Sequence, residues 1–368
     1  MRLSGWFTVV GTCVLVALAP RPASAQHITI DGRLSPAQTL VGPNYTIGAN
    51  LGKQVGSNLF HSFGQFSLSN TPVPESATFT STGSAGPISN VIGRVTGGNQ
   101  SNINGAVASA IPGANLYLIN PSGIVFGPHA TVNVSGSFHA STADYLKMSD
   151  GAKFQATNPD GSTLSAAPPA AFGFLTATPG QISVNGSTLG PVPGTLGLVG
   201  GPVTITGATL NAPAGTIHVT SAAGAGEVPV DPRNTPALTV TTFGPVAVSG
   251  NSKLDVSDPV NRGSGGSVFI RSGALTIDAS EIAADNFGAG SGGMLALRGD
   301  SQIALSGAKV HAVAQSTGPS SDIVVTTAGS LALTNSAISS DTVGSGNGGK
   351  VTVNAETLTI SSGGMISE

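Results

Sequence analysis

Residues that could do chemistry are thinly spread in this chain. Six His, 17 Asp and Glu, 14 Lys and Arg and one Cys are scattered over 368 residues. Two carboxylates flanking a bond would suit sugar hydrolysis, and two acidic groups exist: Asp255 with Asp258, and Asp278 with Glu281 and Asp285. Both fall where turns are expected, and Asp in turns serves the local backbone. Glu75 is the single acid between Phe60 and Asn120. His129 and His139, with Asp144 behind them, have no cysteine to complete a structural metal site. The glycine run Gly263-Ser264-Gly265-Gly266 lacks the recurrent Asp of calcium-binding repeats, and no glycine-rich run ends in the Lys-Ser/Thr of a phosphate loop. The expectation is a protein without catalytic residues, metal or cofactor. A β-helical polysaccharide-degrading enzyme is the alternative to it. Asn120-Pro121-Ser122-Gly123 is read first as a turn, with Asn, Pro and Gly at the positions a type I turn favours.

The elements around these residues are short. Gly and Pro number 52 and 24, and 8% of residues are charged against 39% hydrophobic. Val, Ile and Thr recur in short runs separated by Gly, Ser and Asn, which predicts an all-β protein of many short strands. Arg2, the apolar stretch 7–19 and Ala23-Ser24-Ala25 form a secretory signal, with cleavage between Ala25 and Gln26. The apolar stretch is too short for a membrane span. Cleavage removes Cys13, and leaves 12 basic against 17 acidic side chains, a net charge of −5. Such a balance gives no reason to expect nucleic acid as a partner.

The last hundred residues repeat. Val268, Leu295, Ile323 and Val351 are 27, 28 and 28 apart; Leu275, Ile303, Leu331 and Leu358 are 28, 28 and 27 apart. Ile282, Val310, Ile338 and Ile366 recur every 28 residues. Each unit holds three strands and a Gly/Ser-rich turn, and one unit alone cannot bury its apolar face. The expected architecture is a right-handed parallel β-helix, a solenoid. Upstream, runs such as Val203-Thr204-Ile205, Thr216-Ile217-His218-Val219, Leu238-Thr239-Val240 and Val246-Ala247-Val248 are read as further strands. If the whole mature chain coils this way, about 12 coils at ~4.8 Å form a rod of ~60 Å. A repeat that breaks off without a polar cap suggests a truncated chain.

Residues 58–145 carry the most distinctive motifs: Asn58-Leu59-Phe60-His61-Ser62-Phe63, Asn90-Val91-Ile92-Gly93-Arg94-Val95 and Ala114-Asn115-Leu116-Tyr117-Leu118-Ile119. Asn120-Pro121-Ser122-Gly123-Ile124 and Gly136-Ser137-Phe138 follow. Together they resemble the haemagglutination-activity, or two-partner-secretion, domain of filamentous-haemagglutinin-like exoproteins. Residues 120–124 look like that family's NPNGI motif, with Ser122 in place of the middle Asn; the upstream NPNL motif of many members is missing. The likeness spans roughly residues 26–250.

The resemblance implies an N-terminal capped secretion domain at 26–250 followed by β-helix repeats at 251–368. It implies passage through the periplasm to the cell surface, with an outer-membrane β-barrel transporter and its periplasmic recognition modules as partner. It makes Asn120, Pro121, Ser122, Gly123 and Ile124 the candidate secretion motif. The β-helical stalk would then serve adhesion or surface interaction, toward carbohydrate or protein on a host or cell surface. The stalk of a contact-dependent toxin and a single-chain autotransporter are the remaining alternatives.

Overall fold

The computed structural model describes residues 27–260 and 263–368; Ala23, Ala25 and Gln26 of the signal lie outside the described residues. Among these, strands and three single-turn 3-10 helices are the regular elements, with no α-helix. The chain winds as a parallel β-helix with three sheet faces. The first face stacks Asn58–Phe66, Asn90–Val95, Asn115–Ile119, Phe138–Ser141, Thr195–Gly200 and Thr216–Ser221. It continues through the leading halves of Ser267–Asp278 and Met294–Ser306 to Asp322–Thr327 and Val351–Asn354. The third face is an all-parallel sheet of 11 strands from Asn44–Ile47 to Met365–Ser367.

The three rows read from the sequence are in register. Val268 pairs with Leu295, Leu295 with Ile323 and Ile323 with Val351. The rows through Leu275 and Ile282 pair in the same way. These residues face inward and are fully buried down to the ninth coil, and each such side chain contributes roughly 1.5–3 kcal/mol through burial. Alternation keeps Thr, Ser and Arg on the outside.

The estimate of 12 coils is too high: the first face has ten strands, about 50 Å of stacking at the ordinary spacing. The missing length leaves the helix in two excursions, residues 142–181 and 222–245. From them Tyr145–Met148, Lys153–Gln155, Pro169–Phe174 and Gly226–Pro229 pair into a separate four-stranded antiparallel sheet. Leu238-Thr239-Val240, read as a strand, belongs to the second excursion and follows a 3-10 turn at Thr235–Ala237. Pro232 and Pro236 break up the backbone pairing there.

The start of the helix is capped. Ile28–Ile30 and Lys53–Val55 each pair antiparallel with Asn58–Phe66, and Gln38–Thr39 pairs with Ile28–Ile30. These strands fill hydrogen-bonding positions that a preceding coil would otherwise take. Glu75 ties the cap from below. Fully buried, its carboxylate accepts from Ser69 N at 2.6 Å and Tyr45 Oη at 3.2 Å, and pairs with His27 Nδ1 at 2.8 Å.

Candidate functional site

The Asn120 motif forms the corner of the third coil between Asn115–Ile119 on the first face and Ile124–Phe126, which opens the second face. Asn120 O accepts from Gly123 N at 3.0 Å, closing the turn. The side chain does more, because Asn120 Oδ1 accepts from Ser122 N at 3.0 Å. Its Nδ2 donates to Asn99 O and Ser101 Oγ of the previous coil, both at 2.9 Å. The backbone is fixed on both sides as well: Ser101 N donates to Gly123 O and Ile124 N to Gln181 O, each at 3.0 Å. Gly123 sits at φ +113°, where a side chain is strained, and a Cβ there would lie 3.3 Å from Gln181 O. Asn120 and Ile124 are fully buried, Pro121 is half-buried, and Ser122 is exposed. The turn therefore clamps three successive coils, and its most distinctive side chain is hidden within them.

The antiparallel sheet covers the first face beside this corner. Outward-facing Phe60, Ile92, Tyr117, Ile119 and Val199 meet Leu146, Phe154, Phe172 and Phe174 in a second hydrophobic core, distinct from the helix interior. His139 stacks on Tyr117, with ring centroids 4.7 Å apart and planes 6° from parallel. Gly197, next in the same row, leaves that ring its space: a Cβ would come within 2.4 Å of His139 Nδ1. Burial holds His139 at a pKa of about 3, with the nearby His218 adding to the effect. His61 inside the helix and His218 on the covered face are both pushed down to about 4, mainly by burial. All three are neutral at ordinary pH.

Two polar devices stitch the cover to the coils. Asn58, Asn90 and Asn115 form a ladder: Asn90 Nδ2 donates to Asn58 Oδ1 at 2.8 Å and Asn115 Nδ2 to Asn90 Oδ1 at 3.0 Å. Asn58 Nδ2 caps it on Ser165 O and Ala167 O of the first excursion, at 2.9 and 2.7 Å. Arg94 is the second device, 1% exposed. Its guanidinium donates to Ser62 Oγ at 2.8 Å and Gln155 O at 2.6 Å, and lies 4.3 Å from the centre of the Phe154 ring. Burial lowers its pKa to about 10, which still leaves it charged. A buried charge needs such partners to be tolerated.

Three of the five clustered carboxylates, Asp255, Glu281 and Asp285, are held in ion pairs. Lys253 lies 2.9 Å from Asp255 and 3.4 Å from Glu281; His311 lies 3.1 Å from Glu281 and 3.2 Å from Asp285. Asp258 is buried and Asp278 exposed. His129 is exposed on the turn before Thr131–Asn133, whereas His139 is buried under the cover. Among the described residues, no three His, Cys, Asp or Glu side chains converge as metal ligands.

The sequence itself matches the family described as TPS secretion domain over residues 26–268, well over half of the chain. The chain belongs to this family. It is thus a secretion domain of a two-partner-secretion exoprotein, carried on a parallel β-helix. Solved structures similar to it include the HMW1 secretion domain from Haemophilus influenzae. That match has 18% identity, 94% of this chain and 96% of the other covered, and a TM-score of 0.44. Another is a filamentous hemagglutinin secretion domain, at 14% identity, 92% and 96% coverage and a TM-score of 0.36. No curated protein matches.

In the sequence Arg94, Asn58, Asn90 and Asn115 stand within the motifs that carry the resemblance, with no role of their own apparent. A signal for them did exist. The polar Asn recurs at the head of three consecutive apolar runs, as an outward ladder position would require.

Proposed function

We propose that residues 26–250 are the segment an outer-membrane β-barrel transporter reads, through its periplasmic modules, to export this chain to the cell surface. In this reading residues 1–25 direct entry to the periplasm and are removed between Ala25 and Gln26. Residues 251–368 form a stalk that serves adhesion or surface interaction rather than catalysis, toward carbohydrate or protein. Asn120, Pro121, Ser122, Gly123 and Ile124 are the recognition motif.

The burial of Asn120 and Ile124 supports one order of events. In the folded domain only Ser122 of the motif is openly displayed. A transporter that reads the other positions meets them before the third coil closes, while strand-forming segments are still extended. An extended segment can add to the edge of a partner's sheet through its main chain. The same residues then lock the corner once the chain is outside. Membership of the secretion-domain family supports the assignment of partner and route.

The test is export of residues 1–250 with and without a candidate transporter, comparing medium with periplasm. Asn120→Ala/Gly123→Ala and Ser122→Ala are run beside it. Transporter-dependent release that is lost in the double variant and reduced to a smaller extent in Ser122→Ala is the expected result. Release without any transporter, or unchanged release of the double variant, would overturn the reading.

A further inference from the structure

The antiparallel cover stops before the first face does. The outward row that runs from Phe60 through Tyr117 and His139 reaches His218 under the second excursion, then emerges at Phe269, Ala296 and Val324. These last three are half-buried and floor a cavity of about 620 Å³, walled on one side by Val228, Pro232 and Leu238 of the excursion. Volume and lining are those of a small-molecule site: mostly apolar, with a few placed polar groups.

Besides His218 and a few Ser and Thr hydroxyls, the lining carries three arginines, Arg233, Arg271 and Arg298, and among the described residues no carboxylate is part of it. Two of the three are already paired at the rim, Arg271 with Asp300 and Arg233 with Asp231, so the excess of positive charge there is about one. Arg271 is held in place, 3.7 Å from the centre of the Phe243 ring and 2.6 Å from Asp300. Arg233 lies 5.6 Å from the centre of the Phe269 ring, donates to Thr216 Oγ1 at 3.1 Å and sits 3.6 Å from Asp231. Arg298 is exposed and pairs in register with Arg271 on the neighbouring strand. Like charges directly opposite each other are unfavourable; Asp300 offsets Arg271, and an anion beside Arg298 would offset the remaining charge. Guanidinium groups suit a carboxylate or similar head, which they bind with two parallel hydrogen bonds.

We propose that this groove binds a small amphipathic anion. Its apolar body lies on Phe269, Ala296 and Val324, and its single anionic head sits between Arg298 and Arg271, with Arg233 closing the rim. A polyanion is a poorer fit, because the charge is gathered around one apolar hollow instead of along a stripe.

The test is calorimetric titration of the purified, exported chain with laurate below its micellar concentration, with dodecyltrimethylammonium as the cationic counterpart. One equivalent of laurate is expected to bind, with no matching heat from the cation. Arg298→Glu, at an exposed position, should leave the circular-dichroism spectrum unchanged and weaken laurate at least tenfold. Val324→Asp should remove binding, while Thr352→Asp, one coil further along the same row, should leave it unchanged. Equal affinity in Arg298→Glu, comparable binding of the cation, or uptake of several equivalents would overturn the proposal. So would a concentration-dependent dimer in sedimentation that Val324→Asp dissociates, since the groove would then be a contact between two copies of the chain.

Discussion

The first six coils and the last four share one backbone plan but are stabilised differently. The early coils carry aromatic rings inside, with Phe63, Phe66 and Phe79 packed on one another and Phe126 against Phe138. They also have a second core outside, under the antiparallel sheet. The last four have an aliphatic interior built on Val268, Leu297, Ile303, Val325 and Leu333, and an outer face that the excursions touch only at the first of them, through Phe243 and Arg233. Regular repetition and added packing thus exclude each other along this chain. Where the 28-residue period is clean the chain supplies no covering strand of its own, and only the rim of the second excursion reaches the first of these coils.

Acid should separate the two regions most. The buried histidines His61, His139 and His218 all lie in the early coils, at pKa values of about 4, 3 and 4. In the unfolded chain a histidine takes up its proton near pH 6.5. The folded values are depressed, so this stability is complete above pH 6.5 and is lost as pH falls toward 4. At pH 5 the loss is on the order of 2 kcal/mol for each histidine. His311 in the late coils behaves oppositely: its hydrogen bonds to Asp285, and then to Glu281, raise its pKa against the effect of burial. Its contribution is full below pH 6.5 and fades as pH rises through the raised value. Hydrogen exchange at pH 5 and 7.5, corrected for intrinsic rates, should show residues 58–221 losing protection at pH 5 while residues 294–342 keep theirs. Uniform loss across both regions would contradict the contrast.

Truncating the second core should come next. Phe172→Ala removes a fully buried ring and should cost roughly 3–5 kcal/mol in denaturant unfolding. Val324→Ala, outward-facing on an uncovered coil, should cost under about 1 kcal/mol. Similar values for the two would mean that the antiparallel sheet adds little.

The late coils were legible from sequence because no residue interrupts them. Val268, Leu295, Ile323 and Val351 are spaced by the length of one turn of the helix, and the pairing follows directly. The cover was not legible for the same reason in reverse. In the fourth coil Ser141 and Ile182 occupy adjacent faces, yet 40 residues separate them in the chain, so no period survives. Dividing the whole mature length by the period counts the excursions, Phe172 and Phe174 among them, as coil, and that gave the excess of coils. The Asn120 turn was legible as a turn from its own four residues. Its grip on Asn99 and Ser101 was not, because that contact depends on which residues the previous coil places beneath it.

Two smaller effects sharpen the comparison. Asn120→Ala leaves the Ser122 amide and the Ser101 hydroxyl without that partner and should cost about 1–3 kcal/mol, measured by thermal unfolding. Ser122→Ala, on the exposed tip of the same turn, should stay within about 0.5 kcal/mol. At the low end, Lys253→Ala removes an ion pair to Asp255 from a half-open surface between the two regions. It should change stability by under about 1 kcal/mol, less still in high salt.

The antiparallel cap over Asn58–Phe66 gives the molecule a direction. In the vocabulary of crystal growth it is a seed with one face passivated. New layers can attach only on the side of higher residue number, and each takes its lattice position from the layer beneath. Material arriving in order from the N-terminus is therefore always presented to the single growing face, and a layer out of sequence finds no matching lattice to join.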